Sequence, residues 1–522
     1  MIYLTNKIYH ISKSMKKIVY SGLLLSILQS ILFWHKDLGI SVVIFLTAVI
    51  VAIIYNFKEK GAIKNKKAIL WAIPIELLGI TYFIFNNGFF QIINIPIILI
   101  LLIIMCDNIT NGEIRENRFI RNIINTIFKP FGMLSKFISD FDAEEFLDKK
   151  KENPNSVETK KIVKSLLVAI PVILIILVLL SSADSVFGSI FGNVTDFIFD
   201  LLEVENINDI LARAIFVIIY FVYIVGFLVM FIKKDKKVDE QKEERKTIKL
   251  SSLTINILFV SLNIIYLIFS IIQFKYLFIN AGKTADFDYA TYARTGFFQL
   301  MFVSFINFAL LHISNKNVKQ EDNQTVKITI NKTNISKVLL VFFTIVIIIS
   351  AMFRMYLYEQ EYGYTYLRIF VYFILITEIF VLIPIIIKVL GKKINTFKIA
   401  IEIITLMYVL LNYINIDSMI AKKNIDKYLE NPEEHSIDIY YITSATGTDA
   451  IEEKLRLLNY EGNNLSASAW EELDYAKEVI KSHLRTYKTL YGSEDSFVEW
   501  NLSEYKSRKL LKNVDVSTSE NY

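Results

Sequence analysis

Three carboxylates interrupt stretches of the sequence that are otherwise almost wholly apolar: Glu76, Glu378 and Glu402. An ionised side chain in the middle of such a stretch costs about 3 kcal/mol on membrane-insertion scales, so each needs shelter. A sheltered carboxyl can relay a proton or a cation through a helix bundle, or it can be protonated or paired and simply fix helix packing. Residue type alone leaves both readings open. A second concentration of chemistry lies in ADFDYATYARTGFFQL at 285–300 and FRMYLYEQEYGYTYLR at 353–368. There Arg294, Arg354 and Arg368 accompany Asp286, Asp288, Glu359 and Glu361, with Tyr292, Gln299 and Tyr364 among them. Arginine forks suit anionic groups, so an arginine-lined outer pocket is one expectation. A salt-bridged, tyrosine-rich interfacial belt without a ligand is the other.

Other chemistry is not indicated. The phosphate-loop pattern GxxxxGK[ST] and the hydrolase patterns HExxH and GxSxG are absent. His10, His35, His312, His435 and His483 are scattered, so no metal site, catalytic group or cofactor is expected from them. Cys106 stands alone, which rules out an intramolecular disulfide and any multi-cysteine metal centre.

The elements that must position these groups follow from how the apolar residues are distributed. Of 522 residues 54% are hydrophobic, and mean hydropathy is +0.43. They collect in blocks near the roughly 20 residues that cross a bilayer core about 30 Å thick as a helix. The blocks predict eleven spans, at 18–33, 38–55, 68–85, 89–106, 162–180, 210–232, 253–278, 296–312, 338–355, 367–389 and 398–415. Ile, Val and Phe dominate them and form helices poorly in water. Lipid, however, obliges a spanning segment to satisfy its own backbone hydrogen bonds. Strands alternating apolar with polar, as in a porin-like barrel, are not what the blocks show. The fold class expected is therefore all-α, a polytopic membrane bundle with a small helical C-terminal domain.

Lysine and arginine are concentrated in alternate loops: 58–67, 115–161, 233–249 and 316–337, then Lys392 and Lys393. The intervening loops are nearly bare of them, and one is acidic, with Asp184, Asp196, Asp200, Glu203, Glu205 and Asp209. Net charge is +5, but this distribution marks membrane orientation rather than nucleic-acid binding. It predicts a cytoplasmic N-terminus in a cell membrane and, with an odd span count, a tail on the outer face. Four parts result: four spans in 1–106, a cytoplasmic amphipathic linker at 107–161 broken at Pro130 and Gly132, a seven-span core at 162–415, and a polar helical domain at 416–522. In that last part Asp449 with Glu452, and Ser468 with Glu471, have the spacing of capping boxes, and Gly492 of a helix stop. Besides lipid, a protein partner for the tail is an expectation.

YARTGFFQL at 292–300, SSADSVF at 181–187, YGYTYLR at 362–368 and WNLS at 500–503 resemble a family of multi-pass bacterial membrane proteins. It is the domain of unknown function numbered four-one-seven-three. The resemblance covers roughly 160–510 and implies a bacterial cytoplasmic-membrane location and a helical architecture, with no activity. Two functions remain as expectations. One is a transporter or lipid-handling protein, for which Glu378 and Glu402 should face a common cavity with Asn256, Asn263, Asn307 or Asn412. The other is a non-catalytic scaffold or envelope-signalling component, for which those sites should be dry and separate.

Overall fold

The computed structural model describes residues 2–112, 116, 119–130, 207–232, 252–275, 289–316, 324–462, 465–490, 496–512 and 514. Among them there is no strand. Helices α1 (Ile2–Phe33), α2 (Ile40–Glu59), α3 (Ala72–Ile84), α4 (Gly88–Asn111) and α5 (Ile207–Ile232) come first. Helices α6 (Ser252–Gln273), α7 (Tyr289–Lys316), α8 (Gln324–Tyr362), α9 (Tyr366–Val389) and α10 (Thr396–Tyr413) follow. All ten carry a segment long and apolar enough to cross a membrane, α3 together with the 3-10 turn Lys66–Trp71 before it. The protein is an integral membrane protein. The remaining expected span, at 162–180, lies outside the described residues, as do Gly132, Gly492 and the acidic loop up to Glu205, while Asp209 falls in the first turn of α5. Residues 119–130 of the linker are helical, and Pro130 is the last of them described.

The outward faces explain the solvent. On α6, Leu253, Ile257, Ile264, Ile265, Ile268 and Ile271 are each more than half exposed. Such a face would be untenable in water and is matched by hydrocarbon. Pro96 in α4 and Pro384 in α9 sit inside their helices, as spanning helices tolerate.

The described chain divides into two compact units. The first holds α1–α3, most of α4, α5 and the strip 495–501. Small residues let its helices close: a Cβ on Gly22 would lie 2.5 Å from Val225, and one on Gly79 would lie 2.7 Å from Leu46. The strip supplies what the start of α2 lacks. Ile40 N donates to Trp500 O at 3.2 Å and Ser41 N to Val498 O at 3.0 Å, satisfying two of the amides that a helix N-terminus leaves open.

The second unit holds the turn 85–90, α6–α10 and the tail helices α11 (Ile416–Glu430), α12 (Ile439–Ala445), α13 (Ile451–Leu458), α14 (Ala467–Leu490) and α15 (Leu502–Leu511). The tail has a core of its own, built on Ile425, Tyr428, Ile442, Leu457, Ile480 and Leu484. Its capping differs from the expected boxes. Ser466, not Ser468, meets the start of α14, accepting from Ala469 N at 3.3 Å while Ser468 already lies within the helix. Asp449 sits in the 3-10 turn Thr448–Ala450 and accepts instead from Asn86 N at 2.9 Å, a tertiary use that spacing along the chain could not announce.

Candidate functional site

Helices α6 and α7 carry single polar residues at intervals of three or seven, and α8 at intervals of eight and six that still fall on one side of a helix. On α6 these are Asn256, Asn263, Tyr266 and Gln273; on α7, Ser304, Asn307 and Ser314; on α8, Ser336, Thr344 and Ser350. The structure brings the three faces together. At one end Ser336 Oγ donates to Asn256 Oδ1 at 2.8 Å and Asn263 Nδ2 donates to Ser336 O at 2.8 Å. Lys337, 4% exposed, reaches Ser314 O at 3.4 Å. In the middle Tyr266 Oη donates to Asn307 Oδ1 at 2.8 Å, and Asn307 Nδ2 to Thr344 Oγ1 at 3.0 Å. At the other end Ser350 Oγ and Arg354 Nη2 donate to Gln273 Oε1 at 2.9 and 3.1 Å. Along α8 the stripe from Ser336 to Arg354 runs about 27 Å at 1.5 Å per residue, close to the hydrocarbon thickness.

Glu378 enters this stripe from α9. It is 5% exposed, and its Oε2 lies 2.6 Å from Ser304 Oγ. Its Oε1 has no hydrogen-bond partner among the described residues, and neither does Asn263 Oδ1. The other two carboxylates do not join it. Glu402 lies on an exposed face of α10, 3.8 Å from Lys398 Nζ one turn away. Glu76 lies between α3 and α2, where Thr47 donates to its Oε1 at 3.0 Å. Asn412 Nδ2 turns back to Tyr408 O at 2.9 Å on its own helix. The cavity expected to be common to Glu378 and Glu402 is therefore not formed. Opposite faces of α9 and α10 decide this, and a sequence of apolar blocks does not display which face turns inward.

The outer cluster is used differently from residue to residue. Asp286 and Asp288 lie outside the described residues, and Tyr292 and Arg294 fall in the first turns of α7. Gln299 and Glu361 are exposed. Arg354 faces Gln273, as above, beside Gly296, where a Cβ would fall 1.6 Å from its Nη1. Arg368 donates to Tyr362 O at 2.8 Å and to Gly363 O, covering the carbonyls that end α8, with Tyr358 beneath it at 4.4 Å. Glu359 is 3% exposed and bonded by Tyr364 and Tyr372. Tail residues close over the same turn. Asn424 accepts from Tyr364 N at 2.7 Å, and Tyr441 Oη accepts from Tyr366 N at 2.9 Å. Arg368 and Glu359 thus have protein partners on the tyrosine-rich turn.

A further polar centre, unforeseen as a unit, lies in the tail where it holds the turn 85–90. Asp417, 1% exposed, accepts from Asn87 Nδ2 at 2.7 Å and from Gly447 N at 2.8 Å. Asn86 Nδ2 donates to Glu504 Oε1 at 2.7 Å. Burial pushes the Asp417 carboxyl up to about 7, with Asp449 adding to the rise and Gly447 N–H, Lys454 and Asn87 opposing it. Lys454, fully buried, donates to Thr446 O at 2.9 Å and lies 3.2 Å from His483 Nε2. Burial draws that ammonium down to about 7 and, with the Lys454 charge, His483 down to about 4. The described residues contain no group of three metal-ligating side chains.

A family model described as Domain of unknown function (DUF4153) matches residues 72–457, well over half of the chain. YARTGFFQL and its companion segments pointed to a differently numbered family, and DUF4153 replaces that number; what carries over is a family without an assigned function. WNLS lies beyond the matched stretch. No curated protein and no solved structure matches.

Proposed function

Because the chain belongs to the DUF4153 family, a membership that carries no activity, we propose its function from its own interior: it moves an ion or small solute across the membrane along the polar stripe of α6–α9. The observation that carries this reading is Glu378. A carboxyl in the hydrocarbon region turns inward, meets a serine on a neighbouring helix and keeps one oxygen unbonded among the described residues, within a stripe about as long as the bilayer core is thick. Buried acceptors left open are costly in packing alone, by about 1–3 kcal/mol each, and are expected where something is bound and released. The anion pocket formed by the outer arginines is the weaker version, since Arg368 and Arg354 already have carbonyl or amide partners.

The loop charges support placing the protein in a cell membrane with its N-terminus cytoplasmic and its tail outside. Residues 416–522 would form the outer domain and the contact for any protein partner. A scaffold is the competing reading, favoured by the separation of Glu402 from Glu378, which was expected of it, and by the many bonds between the tail and the turn 85–90.

The test is complementation of a strain lacking the gene, profiled for ion, pH and antibiotic sensitivity. At matched abundance E402Q should restore growth and E378Q should not. Full restoration by E378Q would leave only the scaffold.

A further inference from the structure

Resting on that transport reading, we infer that the ion handled at Glu378 is a proton, passed through the Glu378–Ser304 pair, and not a metal cation. The pair contains a choice that a single hydrogen must make. Ser304 Oγ lies 2.6 Å from Glu378 Oε2 and also 2.6 Å from Met301 O, yet a hydroxyl has one hydrogen to give. If Glu378 is ionised, Ser304 donates to the carboxylate and leaves Met301 O. If Glu378 is a neutral acid, its own O–H donates to Ser304 Oγ, and Ser304 donates to Met301 O. Both short contacts are hydrogen bonds only in the second state. One proton added to the carboxylate, together with one hydroxyl rotation, converts the first state into the second. The proton is taken from hydronium and given back to water, which reverses the change, so charge and atoms balance with water as the co-reactant.

The surroundings disfavour a metal cation. A hard cation stripped of water takes several oxygen ligands, about six in protein sites. Around the Glu378 carboxylate the described residues offer Ser304 Oγ within hydrogen-bond reach; Thr377, next to it on α9, gives its hydroxyl to Phe373 O at 2.7 Å. Leu375 and Leu382, about one turn to either side on α9, are buried and apolar.

The experiment is infrared difference spectroscopy on the full-length protein in lipid nanodiscs, following the C=O stretch of a neutral carboxyl. A band absent from E378Q, present in E402Q and shifted in D2O should gain intensity as pH is lowered from about 9 to about 5. It should not respond to sodium or potassium at fixed pH. In S304A the band should persist and move to higher frequency, because the acid has lost its acceptor. The inference is overturned by a band that ignores pH, by one that sodium abolishes at fixed pH, or by an S304A spectrum identical to the wild type. The sodium and deuterium arms use the wild-type protein, so they decide even if E378Q fails to fold. Failure here is separable from failure of the transport reading. A titrating band with full complementation by E378Q sinks transport alone, and a pH-insensitive band with failed complementation sinks the proton alone.

Discussion

At the scale of single residues, the arginines show how little of a charged side chain's role is carried by its type. Arg354 and Arg368 were equivalent candidates for holding an anion, yet one reaches a glutamine on α6 and the other the last carbonyls of α8. Gly296 is what makes room for the first, since a Cβ there would lie 1.6 Å from Arg354 Nη1. We expect G296A to push the guanidinium off Gln273 and to destabilise the protein by about 1–3 kcal/mol, as overpacked sites do. The cost should fall by at least half in an R354A background, where nothing remains to collide with. Thermal unfolding of the four proteins in detergent measures this coupling, and additive losses would show that the close approach does not matter.

At the scale of elements, the junction between the tail and the turn 85–90 is built from groups that burial has moved toward neutrality. Asp417 is raised from its ordinary value of 3.8 to about 7 by burial first, so between those values the folded protein holds a proton that the unfolded chain has released. The Asp417 contribution to stability should therefore fall as pH rises from about 4 to about 7, by no more than about 1.4 kcal/mol per unit for one proton. Lys454 has the opposite limb. Its folded value of about 7 lies below its ordinary 10.5, so the unfolded chain holds the extra proton and stability should recover above neutrality. His483, held down to about 4 from its ordinary 6.5, works against Asp417 below neutrality, so the Asp417 contribution is read as a difference: the melting temperature of wild type minus that of D417N should fall from pH 4 to pH 7. The amide oxygen of D417N still accepts from Gly447 N–H, and K454M should flatten the rise above neutrality. A D417N profile parallel to the wild type between pH 4 and 7 would show that Asp417 is not the group responsible. Gly447 permits this junction: a Cβ on it would sit 2.6 Å from Asn86 O.

At the scale of the molecule, contacts inside each unit constrain the path of the chain. In the first unit, Lys64 N donates to Ile109 O at 2.8 Å, and Lys17 pairs with Glu59 at 2.8 Å, so each pair shares a membrane face. Arg213 Nε donates to Ser30 Oγ at 2.6 Å, near the far end of α1. One further crossing between Gly112 and Arg213 is part of the proposed topology and is compatible with these contacts. In the second unit, the bond from Asn86 to Asp449 keeps the turn 85–90 beside the tail, as an even number of crossings between them would require. Reporters fused at Met1 and Tyr522 should consequently read opposite compartments, as should reporters at Gly391 and Tyr522. Matching signals from Met1 and Tyr522 would refute the extra crossing. The spans themselves could be read directly from the sequence, because whether a segment of some twenty residues enters lipid depends on its summed transfer free energy, and that sum needs only composition and length. The same holds for the alternation of loop charge. Which of three intramembrane carboxylates faces a partner was decided elsewhere. Glu378 and Glu402 have similar apolar neighbours in the chain, and only the rotation of α9 against α7 turns one toward Ser304, while α10 leaves the other beside Lys398. Rotation about a helix axis is fixed by side-chain packing between helices distant in sequence, an energy that no local window of residues contains.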